Sequence, residues 1–402
     1  MNICVVTPLY NLPGCPPGGI GIHYRNLCES LVRKGHNVHV IIAVPYSKAN
    51  KGFHLNGVRV TELPLIYPNF ITYPLLGFIL NLINIEKNIL PYWHSYLIFK
   101  YLRKINRINK LDIIEFPNTY GLLFFNIKYK SKNVINRVFT TDKDHTFINN
   151  DRLSDYYYRR TLMESFCINN CNLIVVPSDE HKTKISTNYK INNNDIKVIP
   201  LGTTVPQSND NLSNEKDSIN ILYIGRFEQR KGIDLLLNAI PVVLQKTDKN
   251  IKFQIIGKAH NGIDYEKNFY NEHNLSKSSN VDFLGEITGD SLIPFYQNCD
   301  IFVAPSRWES FGLIYIEAMS YAKPVVACNI GGAKSIIRNN IDGLLVETEN
   351  SMEIANAILT LIADKQKRVT MGENSYSRFT QKYTTERITD STLEYYSSIA
   401  NN

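Results

Sequence analysis

The sequence predicts an α/β protein of two domains, each built on a parallel β-sheet with helices on both faces. Three observations predict it. The chain has 402 residues, about twice the usual size of one domain. Short, continuously apolar runs alternate with helical patterns along most of its length. A polar stretch, residues 207–218, offers almost nothing to bury and reads as a linker. The resulting division is a first domain over 1–203, a linker over 204–218 and a second domain over 219–384. Apolar residues make up 44% and charged residues 20%, an ordinary globular composition that excludes a disordered or fibrous chain.

The first forty residues spell a strand, helix and strand. An apolar strand at Ile3–Thr7 leads into Gly18-Gly19-Ile20-Gly21, a helix runs to about Lys34 with Gly35 as its stop, and a strand follows over Val38–Val44. Further strands are expected at Leu111–Glu115, Asn133–Phe139, Leu173–Pro177 and Ile196–Pro200. The second series comprises Ile219–Ile224, Lys252–Ile256, Val281–Leu284, Ile301–Ala304, Pro324–Ala327 and Gly343–Val346. A last helix covers roughly Thr385–Ile399.

The net charge of +7 is uneven: residues 1–205 hold 24 Lys and Arg against 13 Asp and Glu, whereas residues 206–402 hold 20 against 24. The basic half is the one expected to face something anionic. Seven cysteines without zinc spacing or a CxxC pair read as reduced thiols of a cytoplasmic protein. Met1 leads straight into a strand with no leader pattern. The longest apolar run, Pro74 to Ile85, is too short to span a bilayer. Residues 66–110 set Tyr67, Phe70, Tyr73, Phe78, Tyr92, Trp93, Tyr96, Phe99 and Tyr101 beside Lys100, Arg103, Lys104, Arg107 and Lys110. Apolar contact beside cations suits peripheral association with the inner face of the cytoplasmic membrane. A core helix with a solvated basic surface is the plainer alternative.

The chemistry concentrates in two segments. In residues 300–332 a strand ends at Ala304, a loop carries Glu309, and a helix is expected to start near Phe311 or Gly312. Its first backbone N–H groups have no helical partners and attract phosphate. Glu317, in the second turn, leans back toward the same pocket, where its carboxylate suits the vicinal hydroxyls of a ribose. The second segment, Gly225 to Gly232, follows the first strand of the second domain, where a parallel sheet places ligands. Its Arg226 and Lys231 fit a diphosphate, whose growing charge as a leaving group fixed cations stabilise. The residues argue against a nicotinamide-dependent oxidoreductase: Gly18-Gly19-Ile20-Gly21 is not GxGxxG, and no acid follows the strand ending at Val44.

These motifs resemble glycosyltransferase family 4, retaining enzymes of the GT-B fold with a Glu-x7-Glu motif. The likeness is carried by Gly18-Gly19-Ile20-Gly21, Gly225-Arg226, Lys231-Gly232 and Glu309 through Glu317, with support from Lys323-Pro324-Val325-Val326-Ala327 and Gly331-Gly332. It implies two Rossmann-like α/β domains facing each other across a cleft, the last helix (385–402) packing back on the first. It further implies transfer of a hexosyl or N-acetylhexosaminyl group from a UDP-sugar, or a GDP-sugar, to a saccharide or lipid-linked acceptor in polysaccharide or lipopolysaccharide synthesis. Arg226 and Lys231 would hold the diphosphate, Phe311, Gly312 and Leu313 a phosphate, Glu317 the ribose and Glu309 the sugar. Gly18 and Gly19 would close over the diphosphate, backbone near Glu286 and Ile287 would hold the base, and neither a metal nor nucleic acid is expected.

Two positions depart from the family pattern. Phe139 stands where the family often carries His, with His145 six residues on as a loop substitute for sugar or acceptor contact. Ser335 stands where Glu is common. An epimerase or hydrolase sharing the donor site, and a non-catalytic sugar-nucleotide-binding subunit, are the competing readings.

Overall fold

A computed structural model describes the chain except residues 13–17, 46–50, 66–84, 129, 131–132, 150–154, 207–217, 260–261, 274–279 and 402. Most of the expected linker and the aromatics Tyr67, Phe70, Tyr73 and Phe78 lie outside the described residues. The chain forms two units, Met1–Pro200 with Ile388–Asn402, and Leu201–Arg387.

Unit 1 holds an eight-stranded sheet in the order β3-β4-β2-β1-β5-β6-β7-β8. Its strands are β1 (Asn2–Thr7), β2 (Asn37–Pro45), β3 (Lys51–Leu55), β4 (Val58–Leu65), β5 (Ile113–Pro117), β6 (Val134–Arg137), β7 (Leu173–Val176) and β8 (Ile196–Val198). All neighbours run parallel except β3 and β4, a hairpin absent from the sequence-based expectation. The signal was present: Asn56 and Gly57 both have positive φ, 50° and 81°, as an Asn-Gly two-residue turn requires. β5 sits two residues later than expected, because Ile113 pairs with Ile3 and Glu115 with Val5.

Helix α1 (Gly19–Arg33) buries Tyr24, Leu27, Cys28 and Leu31. At its start a Cβ on Gly21 would stand 3.2 Å from the Asn11 amide nitrogen, so the close turn, rather than catalysis alone, explains one glycine of the motif. Helix α2 (Ile85–Ile108) packs Ile98 and Leu102 into the sheet, as does Phe116 of β5. Helices α3 (Phe124–Lys128), α4 (Asp142–Asn149), α5 (Asp155–Asn170) and α6 (Asp179–Tyr189) complete the contiguous part.

Glu115 in the middle of β5 and Arg137 at the end of β6 form an ion pair of zero exposure, with Nε to Oε1 at 2.7 Å. Burying such a pair demands further hydrogen bonds. One comes from the Tyr396 hydroxyl, which donates to Glu115 Oε2 at 2.7 Å.

Unit 2 holds a six-stranded parallel sheet, β11-β10-β9-β12-β13-β14. The strands are β9 (Ile219–Ile224), β10 (Ile251–Ile256), β11 (Val281–Phe283), β12 (Ile301–Ala304), β13 (Val325–Cys328) and β14 (Gly343–Val346). Helices α7 (Ile233–Lys246), α8 (Tyr265–Glu272), α9 (Ile293–Asn298), α10 (Leu313–Ser320), α11 (Gly331–Ile336), α12 (Ser351–Ala363) and α13 (Lys365–Lys382) cover it. The core gathers Leu236, Ile240, Phe253, Ile301, Val303 and Ile358. β9, first in chain order, has β10 on one side and β12 on the other, so the winding direction reverses between β9 and β12. Crevices at the carboxyl ends of such strands are where these sheets bind ligands.

Helix α14 (Thr385–Ala400) starts at the end of unit 2 and continues into unit 1. Within unit 1, Tyr396 is fully buried and the Lys197 ammonium lies 6.0 Å from the Tyr395 ring.

Candidate donor site

The site is assembled where β9 and β12 end. After β9 the chain makes a short helical turn, Gln229–Lys231, closed by Gly232 at φ 67°. A Cβ at Gly232 would fall 1.9 Å from the Pro305 carbonyl oxygen, so only glycine lets this turn lie against the loop after β12. Arg307 fastens the two: its amide donates to the Arg230 carbonyl at 2.8 Å, and its guanidinium donates to Gln229 O at 2.6 Å and to both Asp234 oxygens at 2.7 Å. From the other side, the Gly332 amide donates to the Glu309 carbonyl at 2.8 Å. A Cβ on Gly332 would come within 1.8 Å of the Phe311 carbonyl oxygen.

This scaffold brings Glu309 and Lys231 into direct contact, Nζ to Oε1. Arg230, only 4% exposed, approaches the other oxygen, Oε2, at 3.2 Å, and donates to the Trp308 carbonyl at 3.0 Å. Burial alone would raise the Glu309 carboxyl, but Lys231 and Arg230 overcome it and hold the group down at about 2. Burial lowers the Lys231 ammonium, against the pull of Glu309. Arg226 is half exposed and its carboxylate partner is Glu228, at 3.1 Å, rather than Glu309. Glu228 Oε1 also accepts from Arg230 Nη2 at 2.7 Å. Arg230 is the residue that reading the sequence passed over in favour of its neighbours Arg226 and Lys231.

Gly312, at φ 96°, precedes the first residue of α10, Leu313, one or two residues beyond the expected start. The Phe311 ring is buried against Tyr383 at 5.9 Å between centroids. Glu317 Oε2 accepts from the Tyr296 hydroxyl at 2.7 Å. Burial raises the Glu317 carboxyl, while the Tyr296 hydrogen bond and the Lys231 charge oppose that shift. Lys231 is thus electrostatically felt by both glutamates of the motif. Glu286 is exposed and Ile287 half buried in the loop after β11.

The remaining expected residues lie in unit 1. Gly18 caps α1 and Gly19 opens it. Phe139 is buried, its ring edge-on to His23 at 6.0 Å and to Tyr24 at 6.2 Å, and its carbonyl accepts from His181 Nε2 at 2.9 Å. His145 is not on a loop: it lies in the first turn of α4, its amide donating to Thr141 O at 3.0 Å, because Asp142 and Asp144 favour a helix start there. Burial, then Arg137, holds the His23 imidazole well below its ordinary value. Among the described residues no group of three His, Cys, Asp or Glu could hold a metal ion.

Two such α/β sheets, with paired cations and acids at the reversal point of the second, define a glycosyltransferase of the GT-B type. A family model, "Glycosyltransferase Family 4", matches residues 17–205, and a second, "Glycosyl transferases group 1", matches residues 206–378. The chain belongs to glycosyltransferase family 4. It is 26% identical over 420 residues to an uncharacterised glycosyltransferase, MJ1607, of Methanocaldococcus jannaschii, covering 98% of both chains. It is 30% identical over 246 residues to the capsular polysaccharide biosynthesis glycosyltransferase CapM of Staphylococcus aureus, covering 58% of this chain and 63% of that one. Its fold is similar to that of Anabaena Alr3699/HepE, solved with UDP and glucose, at a TM-score of 0.69 and 19% identity over 99% of this chain and 100% of the other.

Proposed function

We propose that this protein is a retaining glycosyltransferase that moves a hexosyl or N-acetylhexosaminyl group from a UDP-sugar, with a GDP-sugar as the second choice, to a saccharide or lipid-linked acceptor in cell-surface polysaccharide synthesis. The observation that carries the donor half is the contact of buried Glu309 with Lys231 and Arg230 at the carboxyl ends of β9 and β12. A buried carboxylate held ionised accepts hydrogen bonds from sugar hydroxyls, and adjacent cations neutralise a departing diphosphate. Glu317, steadied by Tyr296, suits the ribose hydroxyls. The amides of Gly312 and Leu313 at the start of α10 suit a phosphate. The base would lie by Glu286 and Ile287. These side chains and amides supply the charge that a bound cation would otherwise bring, and no metal is invoked. CapM, a capsular polysaccharide enzyme, supports the choice of acceptor class, and HepE with UDP and glucose supports the choice of donor.

Peripheral attachment to the cytoplasmic face of the inner membrane belongs to the same reading. Along α2, Lys100, Arg103, Lys104 and Arg107 are exposed, and Tyr96 is 37% exposed beside Trp93 and Phe125. Phe99, by contrast, is buried and belongs to the core. Among the described residues no helix is long and apolar enough to cross a membrane.

The test of the donor assignment is titration with UDP and GDP. Replacing Glu317 by Ala removes a charge-assisted hydrogen bond worth roughly 1.5–3 kcal/mol, so affinity for the preferred diphosphate is expected to fall about ten- to a hundredfold. Unchanged affinity in the variant refutes the ribose role. Anomeric NMR of the transfer product decides retention. Co-sedimentation with anionic vesicles at low salt, absent with neutral ones, is the result expected of the basic face.

A further inference from the structure

Five charged side chains alternate in sign along one continuous network in unit 2: Arg226, Glu228, Arg230, Glu309 and Lys231. Arg226 reaches Glu228 at 3.1 Å, Glu228 reaches Arg230 at 2.7 Å, Arg230 reaches Glu309 at 3.2 Å, and Glu309 meets Lys231. Arg230, at the centre, is the least open at 5% side-chain exposure, against 49% for Arg226 and 15% for Lys231. Arg230 is further anchored by the Trp308 carbonyl at 3.0 Å. In this arrangement both cations suited to a diphosphate are engaged by carboxylates. A diphosphate must compete with Glu228 for Arg226 and with Glu309 for Lys231.

From this geometry we propose that Arg230 is a positioning residue, the fixed counter-ion shared by Glu228 and Glu309, whose presence lets Arg226 and Lys231 exchange their carboxylate partners for a nucleoside diphosphate. The inference rests on the reading of this site as the diphosphate site. When the diphosphate arrives, Arg226 and Lys231 turn toward its oxygens while Arg230 stays bonded to both carboxylates, so neither acid is left buried and unpaired. The guanidinium fork matters here, because Nη1 serves Glu309 and Trp308 while Nη2 serves Glu228. A lysine at this position could not span both acids. The cost of binding is therefore an exchange of ion pairs rather than their loss, and Glu228 acts as a brake on diphosphate affinity.

Isothermal titration with UDP and with GDP on the full chain tests this. Arg230→Gln is expected to weaken binding of the preferred diphosphate about tenfold or more, since Glu228 and Glu309 then retain the outer cations. Glu228→Gln alone is expected to tighten it about two- to fivefold by releasing Arg226. In the Arg230→Gln background, Glu228→Gln is expected to tighten binding by clearly more than the two- to fivefold it gives in wild type, a coupling that a merely structural role for Arg230 does not produce. Arg230→Lys is expected to resemble Arg230→Gln. Should Arg230→Gln fail to fold, Glu228→Gln decides the matter: equal or weaker diphosphate binding overturns the proposal. An additive double variant also overturns it. Wild-type protein that binds neither UDP nor GDP overturns the reading of the site and this inference with it, whereas wild-type binding with no gain in Glu228→Gln overturns the inference alone.

Discussion

Glu309 shows how one residue couples stability to the donor site. Its carboxyl titrates at about 2 in the folded chain against an ordinary 4.5, since Lys231 and Arg230 outweigh burial. A depressed carboxyl contributes stability that is complete above about pH 4.5 and is lost as pH falls toward 2. Glu309→Gln is therefore expected to flatten the fall in denaturant midpoint across that interval, measured against wild type. Glu317 responds in the opposite sense. Its carboxyl is already raised by burial, and the Tyr296 hydroxyl restrains the rise. In Tyr296→Phe the carboxyl rises further, so the loss of diphosphate affinity on acidification is expected to begin at higher pH than in wild type. The change at neutral pH is expected to be about three- to tenfold, smaller than for Glu317→Ala.

Among the elements, one of the tightest constraints is the start of α11 against the Glu309 loop. Any side chain at 332 must displace the Phe311 carbonyl oxygen, 1.8 Å from a Cβ there. Gly332→Ala is expected to cost about 1–3 kcal/mol of unit 2 stability and to weaken UDP binding together with it, read by thermal melting and titration. The pair Gly331-Gly332 was legible as a motif, but its reason was not, because the partner backbone is some twenty residues away and reached only through packing. The same holds for Arg230. Its neighbours on the chain announce a cationic turn, yet its burial and its fork between Glu228 and Glu309 depend on β12 lying beside β9. Lys231, Glu309 and Glu317 were legible because the spacing around a strand end and a helix start is local. The β3–β4 hairpin had its Asn56-Gly57 signal in the sequence and was nonetheless passed over. His145, expected on a loop, lies in a helix whose first turn carries Asp142 and Asp144, acids that favour a helix start.

For the whole molecule, the buried Glu115–Arg137 pair and Tyr396 are the informative feature. The expected return of the last helix to the first domain has a definite contact within unit 1: the Tyr396 hydroxyl on Glu115. Tyr396→Phe leaves the ring and removes one donor to a fully buried carboxylate, so unit 1 is expected to lose about 1–3 kcal/mol. Denaturation followed by probes placed in each unit should show the loss in unit 1 and none in unit 2. Unit 1 ends at Pro200 and resumes at Ile388, whereas unit 2 begins at Leu201 and so takes in the stretch 204–218 expected as a linker.

That α14 belongs in part to unit 1 bears on the order in which the chain can fold during its own synthesis. Unit 2 is one uninterrupted stretch, 201–387, inserted into a unit 1 whose last piece is made after it. While the ribosome translates unit 2, the nascent first 200 residues carry the Glu115 carboxylate without the Tyr396 phenol that donates to it. By this division unit 2 has all its residues once 387 is made, whereas unit 1 still waits for Ile388 onward. A chain ending at residue 387 is expected to keep the melting transition of unit 2 and to lose or lower that of unit 1, read by thermal denaturation with a probe in each unit.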